Sequence, residues 1–186
     1  ICCEPRMLYE NYKGESTKFT MCLELIETLK ENGKKVLLFS SFTSIFDSFI
    51  EEFKQRGIKY HMITGAVDKK KRKEEVDAFQ SDDSDVFLIS LKAGGTGLNL
   101  TKAQAVIHYD PWWNVSAQNQ ATDRAYRIGQ TKNVLVYQLL MKNTIEAKIY
   151  EMQKRKKEMS DIFVENSNGG ISTLSKEELR DLFSME

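Results

Sequence analysis

The residues best suited to chemistry lie in residues 118–131, which include two arginines, Arg124 and Arg127. If this stretch is helical, Gln120 and Asp123 share one face with both arginines, because positions three, four and seven apart lie on one side of a helix. Two guanidinium groups one turn apart suit a multidentate anion such as a nucleotide triphosphate. The pattern therefore predicts a phosphate clamp, with a solvated surface helix as the alternative.

The neighbouring side of the same predicted helix is apolar. Four small or aliphatic residues recur there at helical spacing, namely Ala117, Ala121, Ala125 and Ile128. These residues supply the packing that attaches the stretch to a core. The polar stripe is not needed for that packing, and we expect it to face a ligand.

A second candidate segment is rich in glycine. Gly94, Gly95 and Gly97 follow a predicted buried strand at residues 85–89 and precede Asn99. Glycines at this density allow positive φ and bring backbone N–H groups close to a ligand. No Gly-Lys-Ser/Thr follows, so the segment is not a Walker phosphate loop.

Hydroxyl side chains follow two further predicted strands. Ser41 and Thr43 come after the apolar residues 36–39, and Thr64 ends the strand predicted at residues 59–63. Oxyanions bind at the carboxyl ends of strands in open α/β sheets, next to helix N-termini. The alternative for Ser41 and Thr43 is ordinary capping of the next helix.

Basic and aromatic residues complete the set of candidates. Arg72 lies within a lysine-rich helix predicted at residues 68–79, where a solvated charge run is the usual explanation. Trp112 and Trp113 follow a strand predicted at residues 105–109 and suit either core packing or the stacking of bases. Both features fit nucleic acid without requiring it.

Strands and helices alternate from residue 17 to residue 141, which predicts an α/β fold with a parallel sheet covered by helices on both faces. Helices are predicted from residue 16 to Asn32-Gly33, over residues 45–56, and as a C-terminal extension over residues 144–166 and 175–183. The last strand is predicted at residues 134–141. We expect all the motif-bearing loops to lie along one edge of the sheet.

Composition limits the function classes. The chain has 186 residues, 41% of them hydrophobic, which suits one well-cored domain with helical additions. Lys and Arg number 27, as do Asp and Glu, so DNA affinity must come from local patches. Three cysteines match no metal or disulfide spacing, no apolar run is long enough to span a membrane, and the start at Ile1 leads us to expect a fragment of something longer.

The candidate segments resemble motifs of the Swi/Snf-type, helicase-like ATPases. Residues 120–130 read Gln-Ala-Thr-Asp-Arg-Ala-Tyr-Arg-Ile-Gly-Gln and resemble the sixth motif, with Tyr126 where His is usual. Residues 92–100 resemble the fifth motif, with Thr96 where a hydrophobic residue is commoner. Residues 110–115 are similar to Asp-x-x-Trp-Asn-Pro, with Val115 replacing the proline.

The resemblance implies the second, RecA-like lobe of such an ATPase, and the layout is closest to bacterial members. It implies an inter-lobe connection at residues 1–15, the lobe at residues 16–142, and a brace helix with a small amphipathic helix at residues 143–186. It also implies a location in the cytoplasm at the nucleoid, or in the nucleus of a eukaryote. The expected partners are the first lobe of the same polypeptide, double-stranded DNA and a protein complex to be remodelled.

The same resemblance implies ATP with Mg²⁺ as cofactors, both held mainly by the first lobe, and no metal ligands in this chain. Arg124 and Arg127 are implied to be arginine fingers. Nucleotide contacts are implied for Gly95, Gly97, Asn99, Gln120 and Asp123. DNA contacts are implied for Ser41, Thr43, Thr64, Arg72, Lys92, Gly94 and Trp113.

The sequence contains neither Gly-Lys-Ser/Thr nor Asp-Glu-x-His, the elements that hold triphosphate and Mg²⁺ in a first lobe. We therefore expect no ATP hydrolysis by this chain alone. Two alternatives stay open at this point. One is a non-catalytic nucleic-acid or protein-binding module that keeps the lobe fold, and the other is a lobe of a strand-separating helicase.

Overall fold

The computed structural model describes residues 16–91, 93, 98–112, 115–126, 130 and 133–167, together with positions 5 and 14. Strands and helices alternate along this part of the chain, as the sequence predicts. In order they are α1 Thr17–Glu31, β1 Lys35–Ser40, α2 Ile45–Arg56, β2 Tyr60–Ile63, α3 Lys69–Ser81, β3 Val86–Ser90, β4 Ala103–His108, α4 Val115–Thr122, β5 Leu135–Gln138 and α5 Ile145–Ser167.

The five strands form one sheet in the order β2-β3-β1-β4-β5. Every neighbouring pair is parallel. Apart from Lys35 at the start of β1, the residues of β1 and β3 are buried, which is why these strands read as continuous apolar runs and not as alternating ones. The predicted α/β fold with a parallel sheet is confirmed.

Two apolar clusters lie on opposite faces of the sheet. One joins α1 and α2 to the sheet through an aromatic group in which Phe49 contacts Phe19 and Tyr109. The other includes Phe79 of α3 and Ala121 of α4. Helices thus cover both faces, because each sheet face is apolar and must be removed from water.

Glycines in the left-handed region end the first two helices. Gly33 has φ 64° just after α1, and Gly57 has φ 60° as the C-cap of α2. A residue with a Cβ is strained at such a φ, so Gly is favoured at both positions. The predicted ends of these helices are confirmed.

Strand β5 is shorter than the predicted 134–141. Its last residue, Gln138, pairs with His108, the last residue of β4. Because a parallel edge strand extends only as far as its neighbour offers partners, β5 ends where β4 ends. The helix predicted at residues 175–183 and most of the predicted connection at residues 1–15 lie outside the described residues.

The long helix α5 is attached to α1 by a buried ion pair. Lys18 Nζ lies 2.6 Å and 2.7 Å from the two carboxylate oxygens of Glu146. Glu146 Oε2 also accepts the N–H of Met141, and the Thr144 hydroxyl accepts the N–H of Glu146 at the start of the helix. The predicted cap of this helix by Thr144 is confirmed, whereas the burial of Lys18 was not predicted.

Among the described residues, no helix combines the length and apolarity needed to cross a membrane.

His61 of β2 is held between two carboxylates. Its Nδ1 lies 2.7 Å from Glu75 Oε2, and its Nε2 lies 2.7 Å from Asp82 Oδ2. Burial lowers the pKa of His61, but the hydrogen bonds to Asp82 and Glu75 outweigh burial, and the net shift of this pKa is upward. The protonated ring therefore stabilises the contact between β2 and α3.

We predict that His61 makes the free energy of unfolding depend on pH. Because the folded pKa is raised above the unfolded value of about 6.5, the stabilisation is fully present below about pH 6.5. It is lost as the pH rises through the folded pKa. Replacing His61→Gln should therefore lower the melting temperature more at pH 6 than at pH 9. An equal change at both pH values would show that folding does not raise the pKa of His61.

Candidate functional site

The predicted hydroxyl residues lie at one edge of the sheet. Ser41 and Thr43 follow the carboxyl end of β1, and Thr64 follows the carboxyl end of β2. Thr43 is exposed, and Ser41 and Thr64 are half-buried. The Thr43 carbonyl oxygen accepts the N–H of Phe46 in the first turn of α2. Side-chain capping of α2 by Ser41 or Thr43 is not observed, because α2 begins after Ser44 and has no side-chain cap.

Asp110 holds the loop after β1, a role that was not predicted for it. Its carboxylate accepts the Ser40 hydroxyl at 2.7 Å and the Ser41 N–H at 3.0 Å and 2.9 Å. Only 2% of Asp110 is exposed. Burial raises the pKa of this carboxyl group, against the opposing effect of the serine hydrogen bonds. The available signal was an aspartate directly after a buried strand, next to the strand that ends in Ser40-Ser41.

Arg72 braces the loop between β2 and α3. Its Nη2 donates to the Val67 carbonyl oxygen at 2.9 Å, and the Val67 N–H donates to the backbone carbonyl oxygen of Thr64. Asp68 caps α3 by accepting the N–H groups of Lys70 and Lys71. The predicted helix and its basic first turns are confirmed. Lys92 and Gly94, the other predicted DNA contacts nearby, lie outside the described residues.

The arginine-bearing stretch is not one continuous helix. α4 ends at Thr122, and the Arg124 and Ala125 N–H groups donate to carbonyl oxygens three residues back, on Ala121 and Thr122. The shared helical face predicted for Gln120, Asp123, Arg124 and Arg127 is therefore wrong for its described members. Gln120 and Asp123 are exposed, whereas Arg124 is 3% exposed. Arg127 lies outside the described residues.

The apolar side of this stretch packs on the sheet, and the Arg124 carbonyl oxygen, which a longer helix would use within itself, accepts the Leu100 N–H. Ala121 is 2% exposed and Ala125 is fully buried, as predicted for the apolar side, and both belong to the core cluster on this face of the sheet. The Thr122 hydroxyl lies 2.9 Å from Nε2 of His108 in β4. Burial lowers the pKa of His108 to about 4, which keeps this ring neutral at pH 7. These contacts attach the end of α4 to the sheet.

Asn99 lies at the opposite edge of the sheet from Ser41 and Thr64, because it shortly precedes Ala103, the first residue of β4. The expectation that all motif-bearing loops lie along one edge is wrong for Asn99. The Leu100 N–H donates to the Arg124 carbonyl oxygen at 3.0 Å. The end of the fifth-motif segment therefore contacts the arginine turn through the backbone.

Trp112 is half-buried and packs against the core cluster that contains Ala121. The backbone N–H of Trp112 donates to Gln118 Oε1 at 3.4 Å. The backbone carbonyl oxygen of Trp112 accepts a hydrogen bond from Gln153 Nε2 of α5. Packing is the interpretation that the structure supports for Trp112. Trp113, Gly95 and Gly97 lie outside the described residues.

Among the described residues, no group of His, Cys, Asp and Glu is arranged to hold a metal ion.

The chain matches the family of the helicase conserved C-terminal domain over residues 17–129. The chain belongs to this family. Its curated relatives include proteins named as ATP-dependent helicases, a chromatin-remodeling ATPase and a DNA excision repair protein.

One relative is named an uncharacterized ATP-dependent helicase, from Mycoplasma pneumoniae, with 44% identity over 90% of this chain and 16% of the relative. The chromatin-remodeling ATPase INO80 of Candida albicans is 40% identical over 84% of this chain and 11% of its own length. The crystal structure of the C-terminal part of the Fun30 ATPase domain matches with a TM-score of 0.71 and 36% identity, over 74% of this chain and 45% of that one. The chain thus spans under a fifth of the length of these two curated relatives.

We predict that Asp110 stabilises this helicase C-terminal domain through the loop after β1. Both carboxylate oxygens of Asp110 now accept the Ser41 N–H. In Asp110→Asn, an amide NH₂ group replaces one of these oxygens and cannot accept this hydrogen bond. The free energy of unfolding in urea at pH 7 should fall by about 1.5–3 kcal/mol, the size expected for hydrogen bonds to a charged group. The exposed Asp77→Asn is the matched control and should change it by less than about 0.5 kcal/mol. Equal effects of the two substitutions would contradict the role of Asp110.

Proposed function

We propose that this domain is the second lobe of an ATP-dependent translocase that moves on double-stranded DNA, as part of a Swi/Snf-type remodelling ATPase. The observation that carries the proposal is the hydrogen bond from the Leu100 N–H to the Arg124 carbonyl oxygen. It joins the two segments whose motifs are most characteristic of the family. The name of the relative INO80, a chromatin-remodeling ATPase, supports DNA as the track.

The proposed nucleotide contacts come from the turn after α4. Gln120 and Asp123 are exposed and free to meet a nucleotide held by the first lobe. Arg127 is the proposed arginine finger on the γ-phosphate. Arg124 is 3% exposed, so we assign it first to holding the turn, and contact with the nucleotide requires a change in its position. Bound ATP with Mg²⁺ supplies the phosphoanhydride whose cleavage drives movement.

The proposed DNA contacts lie along the carboxyl edge of the sheet. Hydroxyls of Ser41, Thr43 and Thr64 can donate to phosphate oxygens, which fixes position on the duplex without reading sequence. Asp110 preorganises this edge by accepting two groups of the loop that contains Ser41. We propose that Arg72, Lys92, Gly94 and Trp113 extend the same surface. The place of action would be the nucleoid of a bacterium or the nucleus of a eukaryote.

The first lobe is the proposed partner for activity, because the sequence lacks the Walker lysine and the acidic Mg²⁺ motif. Gly95, Gly97 and Asn99 are proposed to contact the nucleotide only when that lobe is present. A remodelled protein complex on DNA is a further proposed partner. The chain alone is therefore expected to be inactive towards ATP.

We predict that Arg127→Lys, made in the chain joined to its first lobe, lowers DNA-stimulated ATP turnover by about 10³–10⁵-fold, or about 4–7 kcal/mol. Lysine keeps the charge but cannot copy the forked donors of a guanidinium group. Turnover is measured at saturating ATP and DNA, with the melting temperature measured in parallel. The chain without the first lobe is the blank and should show no turnover. A fall of less than about tenfold would show that this stretch is structural and that Arg127 is not an arginine finger.

We predict weak, sequence-independent DNA binding by the chain, because its formal net charge is zero. Replacing Arg72→Ala and Lys92→Ala together should lower both the affinity and the slope of log K against log salt, by about 0.9 for each lost phosphate contact. Binding is measured by fluorescence anisotropy on a duplex at several salt concentrations. Lys54→Ala on the exposed side of α2 is the control and should leave the slope unchanged. An unchanged slope in the double variant would show that these residues face away from DNA.

A further inference from the structure

The side chain of Gln80, near the end of α3, holds the segment that precedes β4. Its Nε2 donates to the Asn99 carbonyl oxygen at 3.2 Å and to the Thr101 hydroxyl at 3.3 Å. Its Oε1 accepts the Lys102 N–H at 3.0 Å. One amide group thus uses both its donor and its acceptor on a single short segment. None of the family motifs quoted above includes Gln80.

A second glutamine, Gln130, also holds this segment. Gln130 Nε2 donates to the carbonyl oxygens of Thr101 at 2.9 Å and Ala103 at 2.8 Å. It also lies 3.3 Å from the carbonyl oxygen of Ala125, in the arginine turn. Residues 99–103 are therefore held by two side-chain amide groups, one from α3 and one that also contacts the turn that includes Arg124.

These contacts make a continuous path across one face of the lobe. The first turn of α3 lies beside the loop that Arg72 braces, and the last turn of α3 contains Gln80. A helix moves as a rigid element, so a displacement at its first turn reaches its last turn. From Gln80 the path continues through the backbone of residues 99–102 to the Arg124 carbonyl oxygen, which accepts the Leu100 N–H.

We propose that Gln80 is a positioning residue that couples DNA contact at the start of α3 to the arginine turn. The inference rests on the proposed function, since it assumes that the lobe uses DNA and ATP together. Gln80 touches neither of them. It sets the position of residues 99–102, and through them the position of the turn that Arg124 belongs to.

Two substitutions separate the parts of this contact. Leucine is similar in size to glutamine, and Gln80→Leu removes all three hydrogen bonds. Gln80→Glu keeps an acceptor for the Lys102 N–H but loses both donated bonds and places a negative charge beside the Asn99 carbonyl oxygen. Gln55→Leu, at an exposed position of α2, is the matched control.

The test uses the chain joined to its first lobe and compares ATP turnover with and without duplex DNA. In Gln80→Leu, stimulation by DNA should fall about three- to thirtyfold, the range found when coupling residues are changed. Turnover without DNA and the dissociation constant for DNA should stay within about twofold. Gln80→Glu should lose stimulation as well, and Gln55→Leu should keep it. Unchanged stimulation in a folded Gln80→Leu protein overturns the inference.

Hydrogen exchange in the same protein separates this inference from the proposed function. The Leu100 and Lys102 amides should exchange faster in Gln80→Leu, whereas Gln80→Glu should keep the protection of Lys102. If the unmodified two-lobe protein is not stimulated by DNA, the proposed function fails. Exchange then still decides whether Gln80 positions the segment, and unchanged exchange at both amides overturns that role.

Discussion

The pairing of β1 with a strand on each side is the constraint on which the rest of the structure depends. β1 is hydrogen-bonded to β3 and to β4, and all three run in the same direction. Their carboxyl ends therefore share one edge, which places Ser41 in the middle of that edge and Asp110 directly beside it. The carboxylate of Asp110 ties the two strand ends together before any ligand arrives. A loop held in this way costs little further ordering when it binds.

The same pairing forces the connection between β3 and β4 to return from the carboxyl edge to the amino edge. Because β3 and β4 are parallel and lie on either side of β1, the chain leaves β3 at the carboxyl edge and enters β4 at the amino edge. Leu98 and Leu100 are buried in the cluster on one face of the sheet, and Asn99 to Lys102 arrive beside the end of α3. A single connection thus begins at the proposed DNA edge and ends at the arginine turn. The topology itself brings the two proposed functions of the lobe together.

Buried polar groups fix the geometry that apolar packing leaves free. The side chains of Lys18 and Glu146 are 3% and 5% exposed, and their ion pair sets where α5 lies on α1. Removing two charges from water is costly, so such a pair argues for specificity of arrangement more than for stability. His108 is similar in effect, since its neutral ring contacts Thr122 where α4 ends. Each of these groups joins two elements of the fold.

The sequence by itself determined the order and kind of the elements. Buried strands and amphipathic helices have local periods, and the glycines after α1 and α2 end those helices by backbone sterics alone. It also determined the family, because the motif residues stand at fixed spacing. Only the tertiary structure decided that the helix containing Gln120 ends at Thr122, that Arg124 is buried and that Asp110 and Gln80 hold loops. Those outcomes depend on partners 19 to 70 positions away. No local pattern specifies such contacts, since they form only after the strands have taken their order in the sheet.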